Sequence, residues 1–281
     1  MNLNNCKNCG HAFAGNYCNQ CGEKVYKDHD KSLKHFLEEV FHFITHFDNK
    51  FFKTIWTVFT KPGLVSYEFC NGARKQYYKP VSLFLVGVVL YLIFPMLRGL
   101  NVTQDSHLAQ EKALHITFPS NWVHAKMAHE HVTYQQLNDH FELKSPKVSK
   151  LLLFIIIPLT GLLIKVMFRK PRRFYFDHFT LAAEINTFYL YFTFLIIPLM
   201  ITIAYWLVRL FGGKHFYESE FLLLFVHLSV LSLFVTIAFK RFYGLKTGKA
   251  FLKSLLFLLG HTFIVYILYR LILFCVVMLL V

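Results

Sequence analysis

Four cysteines carry the sharpest chemical signal in the chain. Cys6-Lys7-Asn8-Cys9-Gly10 and Cys18-Asn19-Gln20-Cys21-Gly22 are two C-x2-C-G units with eight residues between Cys9 and Cys18. Each unit can turn tightly enough to aim two thiolates at one point, and the glycine after the second cysteine tolerates positive φ. Two such turns complete a tetrahedron of soft ligands, and Gly15-Asn16 supplies the turn that brings the second unit back over the first. The expectation for Cys6, Cys9, Cys18 and Cys21 is one structural zinc per chain, with rubredoxin-like iron or free thiols as the alternatives. A segment this short cannot bury a core, so metal binding, on the order of 10 kcal/mol in zinc-finger peptides, must drive its folding.

A second group is polar and sits in apolar surroundings: Asp177, His178, Glu184 and Asn186. An ionisable side chain at the bilayer centre costs roughly 2.5–3.5 kcal/mol on insertion scales, so each one calls for a partner. Asp177 and Glu184 are seven apart and share a helical face. One reading is structural, with Glu184 paired to Lys165 across two spans. The other is a polar membrane site for a proton, metal or substrate, joined by His227 and His261; those two are otherwise neutral packing imidazoles. His42 and His46 make an i, i+4 pair on the polar face of a helix, capable of holding a metal but read first as a solvated face. The scattered histidines of residues 98–150 read as solvated too.

The elements that position these residues follow from composition. The chain has 281 residues, 55% of them apolar, with 32 Phe and 15 Tyr, which puts it in the membrane class. The fold expected is an all-α membrane protein of about five transmembrane helices with a small N-terminal ribbon and cytoplasmic amphipathic helices. Residues 1–25 form the ribbon. Residues 31–80 form interfacial helices, first with Leu33, Phe36, Leu37, Val40, Phe41, Ile44 and Phe47 on one face. A second then carries Phe51, Phe52, Ile55, Trp56 and Phe59 until Lys61-Pro62-Gly63. A short helix from Pro62 to Cys70 closes at Asn71-Gly72. Residues 81–281 form the bundle, with spans at about 81–97, 151–168, 181–211, 221–239 and 251–281 and an external loop over 98–150. Thr133 to Leu143 reads as a helix in that loop. Pro198 is expected to kink the third span, and the tail beyond Arg270 must tilt, pack on its neighbours or return to the interface.

Charge sets the orientation. Lys and Arg outnumber Asp and Glu by 30 to 16. They gather at span ends, in Arg169-Lys170-Pro171-Arg172-Arg173 and in Lys240, Arg241, Lys246, Lys249 and Lys253, rather than along a stripe that could track a nucleic acid. The positive-inside rule then places the N-terminus and ribbon in the reducing cytoplasm and the C-terminus outside, which favours metal over disulfides. Met1 to Gly22 is polar, so no cleavable signal peptide is expected. No nucleophile elbow, H-E-x-x-H or phosphate-binding glycine loop is present, and enzyme activity has no positive support.

Three stretches resemble a family of uncharacterised bacterial membrane proteins with an N-terminal zinc ribbon. They are Cys6 to Gly22 with Gly15-Asn16-Tyr17-Cys18 at its centre; Lys61-Pro62-Gly63 through Gly72-Ala73-Arg74-Lys75-Gln76-Tyr77-Tyr78-Lys79-Pro80; and Asp177-His178 through Ala182, Glu184, Asn186 and Phe188. The middle one is the most specific. The family's pattern has histidines where Glu184 and Asn186 stand here. The resemblance implies a polytopic protein of the bacterial inner membrane and brings no activity with it. Taken together, the readings lead to a non-enzymatic protein of the lipid bilayer whose ribbon docks a protein partner or senses the membrane surface. No nucleic acid is expected, and oligomers are allowed. The alternative is a small transporter or channel using the polar start of the third span.

Overall fold

In the computed structural model the described residues are 4–25, 49–93, 118–171, 173–211 and 220–281. The first expected amphipathic helix, over 31–47, lies outside them, as do residues 94–117 of the outer loop and the 212–219 connection.

At the N-terminus, β1 (Asn4–Asn5) and β2 (Ala12–Phe13) pair antiparallel, with Asn4 opposite Phe13. A single bridge joins Tyr17 to Lys24. The apolar cluster of this unit is Cys6, Phe13 and Cys18, with Cys21 and Val25 packed against it. Strands this short cannot hold themselves together, which leaves the cysteines as the organising centre.

Helix α1 (Asn49–Thr60) stops at Lys61-Pro62-Gly63 as the sequence predicts, and α2 (Leu64–Cys70) ends at Asn71 and Gly72. The aromatic stripe of α1 is divided between two sides. Phe51 is buried edge-on to Tyr78, at 5.6 Å, whereas Phe52 and Trp56 point outward at 67% and 72% exposure. Thr54 and Thr57 take the inner face instead, each donating its hydroxyl to the carbonyl four residues back. Thr54 Oγ1 also accepts the Tyr78 N–H, at 2.8 Å.

Four helical stretches among the described residues are long and apolar enough to cross a bilayer: Tyr134–Met167, Tyr175–Leu210, Leu224–Tyr243 and Thr247–Leu280. Of the segment expected as the first of five spans, 81–97, the described residues form the 14-residue helix α3 (Pro80–Ile93), and 94–97 lie outside them. At about 1.5 Å per residue this described part covers about 21 Å.

Two of the long helices are interrupted where proline removes a donor. Pro158 cannot serve the carbonyl of Phe154, and there a 3-10 turn over Leu153–Ile155 joins α5 (Tyr134–Leu152) to α6 (Ile156–Met167). Pro198 cannot serve Phe194, and a π-turn over Phe192–Ile196 joins α7 (Tyr175–Tyr191) to α8 (Ile197–Leu210). The interruption in the third span expected from Pro198 is therefore a π-turn.

Helix α7 is the axis of the molecule. Every residue from Phe176 to Tyr191 is buried, against α6, α3 and α2, while no residue of its continuation α8 is. Between α3 and α5 in chain order, α4 (Phe118–Glu130) adds a further element, and Thr133 starts α5 with a capping box to Gln136. That is the Thr-capped helix expected in the loop, extended directly into a span. Two helices complete the fold. Helix α9 (Glu220–Tyr243) leads to α10 (Thr247–Phe263), which runs through a π-turn into α11 (Tyr269–Leu280).

The tail beyond Arg270 packs on its neighbours. Leu273, Phe274, Val277 and Met278 are fully buried. Phe274 lies 6.1 Å from Trp122 of α4 and 6.0 Å from Phe141 of α5. Tyr269 donates its hydroxyl to the Ser149 carbonyl at 2.9 Å. The spans ending in α6 and α11 are 34 residues each, about 51 Å. Both overrun the bilayer core, and their outer turns cover each other.

Candidate metal centre

The two C-x2-C-G units fold as near copies. Cys6 N–H donates to the His11 carbonyl at 2.9 Å and Gly10 N–H to Cys6 at 3.0 Å. In the second unit Cys18 N–H donates to Glu23 at 2.8 Å and Gly22 N–H to Cys18 at 2.7 Å. Gly10 and Gly22 take φ of 76° and 71°, the positive values the sequence reading asks of them. Each turn points its pair of sulphurs at the other.

The four Sγ atoms of Cys6, Cys9, Cys18 and Cys21 lie within 4.8 Å of one another. Cys6 and Cys21 are 3.5 Å apart, and Cys9 and Cys18 are 3.7 Å apart. Without a cation, four thiolates this close cannot all ionise. Cys21 is lowered to about 6 by hydrogen bonds from the Asn8 side chain and the Glu23 backbone. The His11 backbone favours the thiolate of Cys9, yet burial and the neighbouring sulphurs push it up to about 12. A divalent cation resolves that conflict by stabilising all four charges together. The donor set fits a tetrathiolate metal site.

The ribbon is seated on the end of the bundle by the segment after α2. Glu23, 5% exposed, accepts the Lys75 N–H at 3.0 Å, and the Lys75 ammonium donates to the Cys21 carbonyl. Burial raises the Glu23 carboxyl, while hydrogen bonds from the Lys75 and Arg74 backbone pull the other way. A cavity of about 360 Å³ lies at this junction, lined by Cys6, Phe13, Glu23, Cys70 and Arg74 among others. Arg74 caps α2 through the Phe69 carbonyl at 3.1 Å and lies over the rings of Phe69 and Phe176.

The polar residues of α7 are all buried and take partners on different elements. Glu184 receives two backbone donors from the start of α2, Gly63 N–H on Oε1 and Ser66 N–H on Oε2, each at 2.8 Å. Lys165, the ion-pair partner expected for it, is exposed and lies over the Tyr175 ring. Asp177 accepts the Phe174 N–H at 3.3 Å and lies beside Cys70, whose thiol burial and that carboxylate push up. His178 Nδ1 is 2.7 Å from the Tyr243 hydroxyl. Asn186 donates to the Ala182 carbonyl, and its Oδ1 is 3.1 Å from His261 Nε2. His227 stacks on Phe192 instead of joining them. Among the described residues, only the four ribbon cysteines make a group of metal-ligating side chains.

Three residues in this arrangement had no functional reading in the sequence: Gly63, Cys70 and Glu23. In the sequence Gly63 reads as part of the Lys61-Pro62-Gly63 stop and Cys70 as the end of a short helix, and Glu23 is one of the ribbon's 25 residues with no reading of its own. The only signal for Glu23 is a carboxylate directly after a C-x2-C-G unit, and backbone donors leave no trace in a side-chain pattern.

Residues 48–92, from the residue before α1 into α3, match the family model described as "Protein of unknown function (DUF3667)". This match supports the resemblance to an uncharacterised domain family, and it covers the stretch from Lys61 to Pro80 on which that resemblance chiefly rests. No curated protein and no solved structure matches the chain.

Proposed function

We propose that this chain is a non-enzymatic membrane protein whose ribbon holds one structural zinc and offers its outer face to a protein partner at the membrane surface. The observation that carries the reading is the seating of the ribbon. Glu23 and the Cys21 carbonyl hold it to Lys75, while Cys9, His11 and Tyr17 stay exposed, Tyr17 at 62%. Zinc is the metal that four thiolates at this spacing take most readily in a structural site. Outward Phe52 and Trp56, with Lys53 between them, suit the lipid interface and support a position against the bilayer.

The same reading puts the protein in the bacterial inner membrane, ribbon inside and C-terminus outside. The basic loops and the ribbon gather at one end of the bundle: Arg241 donates to the Pro62 carbonyl, and Arg173 to Phe242 at 3.0 Å. The last turn of α11 packs far from them, with Lys126 donating to the Met278 carbonyl at 2.6 Å. Transport through the start of α7 has less behind it, because Glu184, His178 and Asn186 each already hold a packing partner.

A photo-crosslinking residue at Tyr17, in cells, tests the reading. The expected result is a discrete crosslinked partner that disappears in the Cys6→Ser/Cys9→Ser variant, which still inserts in the membrane. The same product from that variant, or no product from the metal-loaded chain, overturns it. Elemental analysis of the purified chain is expected to give one zinc, lost with the same two cysteines.

A further inference from the structure

A groove of about 1510 Å³ runs between α9 and α10, floored by Tyr189 of α7. Its walls are apolar side chains such as Phe225, Leu228, Phe251, Leu255 and Leu259. The lining from Thr247 to Tyr266 recurs at four-residue steps along one face of the helix and covers about 28 Å at about 1.5 Å per residue. The volume exceeds the about 300–1,000 Å³ of ordinary small-molecule sites. Shape and lining therefore suit long hydrocarbon chains.

Two of the lining hydroxyls, Ser232 and Thr236, are already matched. Thr236 Oγ1 and Ser254 Oγ lie 2.8 Å apart, with Ser232 at 3.4 Å from Ser254, so hydrocarbon can enter without stranding them. One end of the groove is basic. Lys240 stands one helical turn beyond Thr236 of the lining, and Lys246 and Lys249 flank Thr247 and Gly248 on the other wall; all three lysines are exposed. At the opposite end Arg270 lies over the Tyr266 ring, at 5.4 Å. The stronger anion site is the lysine end.

We propose that this groove binds an anionic phospholipid, with its acyl chains along α9 and α10 and its headgroup phosphate between Lys240 and Lys246. The helix pair joined by the Gly244 turn thus takes its lipid from the leaflet that faces the basic loops. Helix α8, whose residues include exposed Leu199, Ile203, Trp206 and Leu210, meets lipid only as an open surface. It serves as an internal reference for nonspecific contact.

The test uses the full chain in nanodiscs containing equal phosphatidylglycerol and phosphatidylcholine, each supplied in turn with a photoactivatable acyl chain. Labelling by phosphatidylglycerol is expected to concentrate on the groove faces of α9 and α10 over α8, and labelling by phosphatidylcholine to be even. Lys240→Gln and Lys246→Gln each remove an exposed lysine worth about fivefold in attraction to an anionic surface. Each is expected to lower groove labelling by about that factor, with Arg270→Gln leaving it unchanged. Leu255→Trp, which fills the groove, is expected to abolish labelling there and to keep it on α8. Equal labelling of groove and α8, equal use of the two lipids, or indifference to both lysine variants overturns the proposal. So do crosslinks between two copies of the chain at the groove.

Discussion

Glu184, near the middle of α7, accepts the backbone N–H of Gly63 at 2.8 Å, 121 residues away in the chain. Its other oxygen takes Ser66 N–H at the same distance, so one buried carboxylate closes the start of α2. Its oxygens sit where the first N–H groups of a helix have no intrahelical acceptor. Glu184→Ala leaves two buried donors unpaired, at about 1–3 kcal/mol each. Thermal unfolding in detergent is expected to fall steeply for Glu184→Ala and by an intermediate amount for Glu184→Gln, which keeps one acceptor. Equal melting of Glu184→Ala and wild type would show that α2 does not depend on this contact.

Gly63 is constrained from two sides. Its φ is 76°, and a Cβ placed on it would come within 2.8 Å of the Cα and carbonyl oxygen of Ala238. Gly63→Ala is expected to cost more than the about 1–2 kcal/mol of a left-handed L-residue, because backbone cannot step aside as a side chain can. Ala238→Gly is not expected to rescue it, since the carbonyl remains. Melting curves of the two single variants and the double check both statements.

Cysteine reactivity separates the two thiol classes by pH. Burial and the Asp177 carboxylate push the Cys70 thiol up, so its thiolate fraction at pH 8 falls below that of an ordinary cysteine. Because alkylation goes through the thiolate, Cys70 is expected to stay unmodified by iodoacetamide from pH 7 to 8. A chelator is expected to open the four ribbon cysteines to the reagent without opening Cys70, which reacts only after denaturation. Peptide mapping by mass spectrometry reads each position.

The tail of α11 predicts its own energetic weight. Phe274 is fully buried between Trp122 and Phe141. Phe274→Ala is expected to destabilise by about 3–5 kcal/mol, the range for an aromatic deleted from a packed core. Truncation after Arg270 is expected to make α4 protease-sensitive while leaving the ribbon's metal content unchanged. Loss of the metal together with the tail would contradict the separation of the two ends.

Asn186 and His261 supply a test of the polar residues of α7 as packing pairs. His261→Ala leaves the buried Asn186 Oδ1 without its partner and is expected to lower stability by about 1–3 kcal/mol. His261→Gln, which can still donate, is expected to restore much of it. A change in proton or cation flux in proteoliposomes with no change in melting would instead favour the transport reading.

Much of the fold is legible in the chain because the signals are local. Phe and Leu runs of bilayer length, Thr133 before a helix, Lys61-Pro62-Gly63 after one and Pro198 within one all act through their own few residues. The same holds for the ribbon, where C-x2-C-G dictates a turn whatever follows it. The outward rotation of Phe52 and Trp56 was not legible, since an aromatic stripe records its apolarity and not which neighbour will cover it.

The sequence by itself determined the four thiolates, the helical membrane character and the basic ends of the spans. Each of these is a property of spacing or composition that survives in any packing. Only the tertiary structure decided that Glu184 binds backbone N–H groups instead of Lys165, that the α7 polar residues separate into different pairs, and that Glu23 ties the ribbon to Lys75. The Glu184 and Glu23 contacts join residues up to 121 positions apart through backbone groups that every residue carries. No pattern of residue types can announce a partner that all residues share, so three-dimensional placement alone selects it.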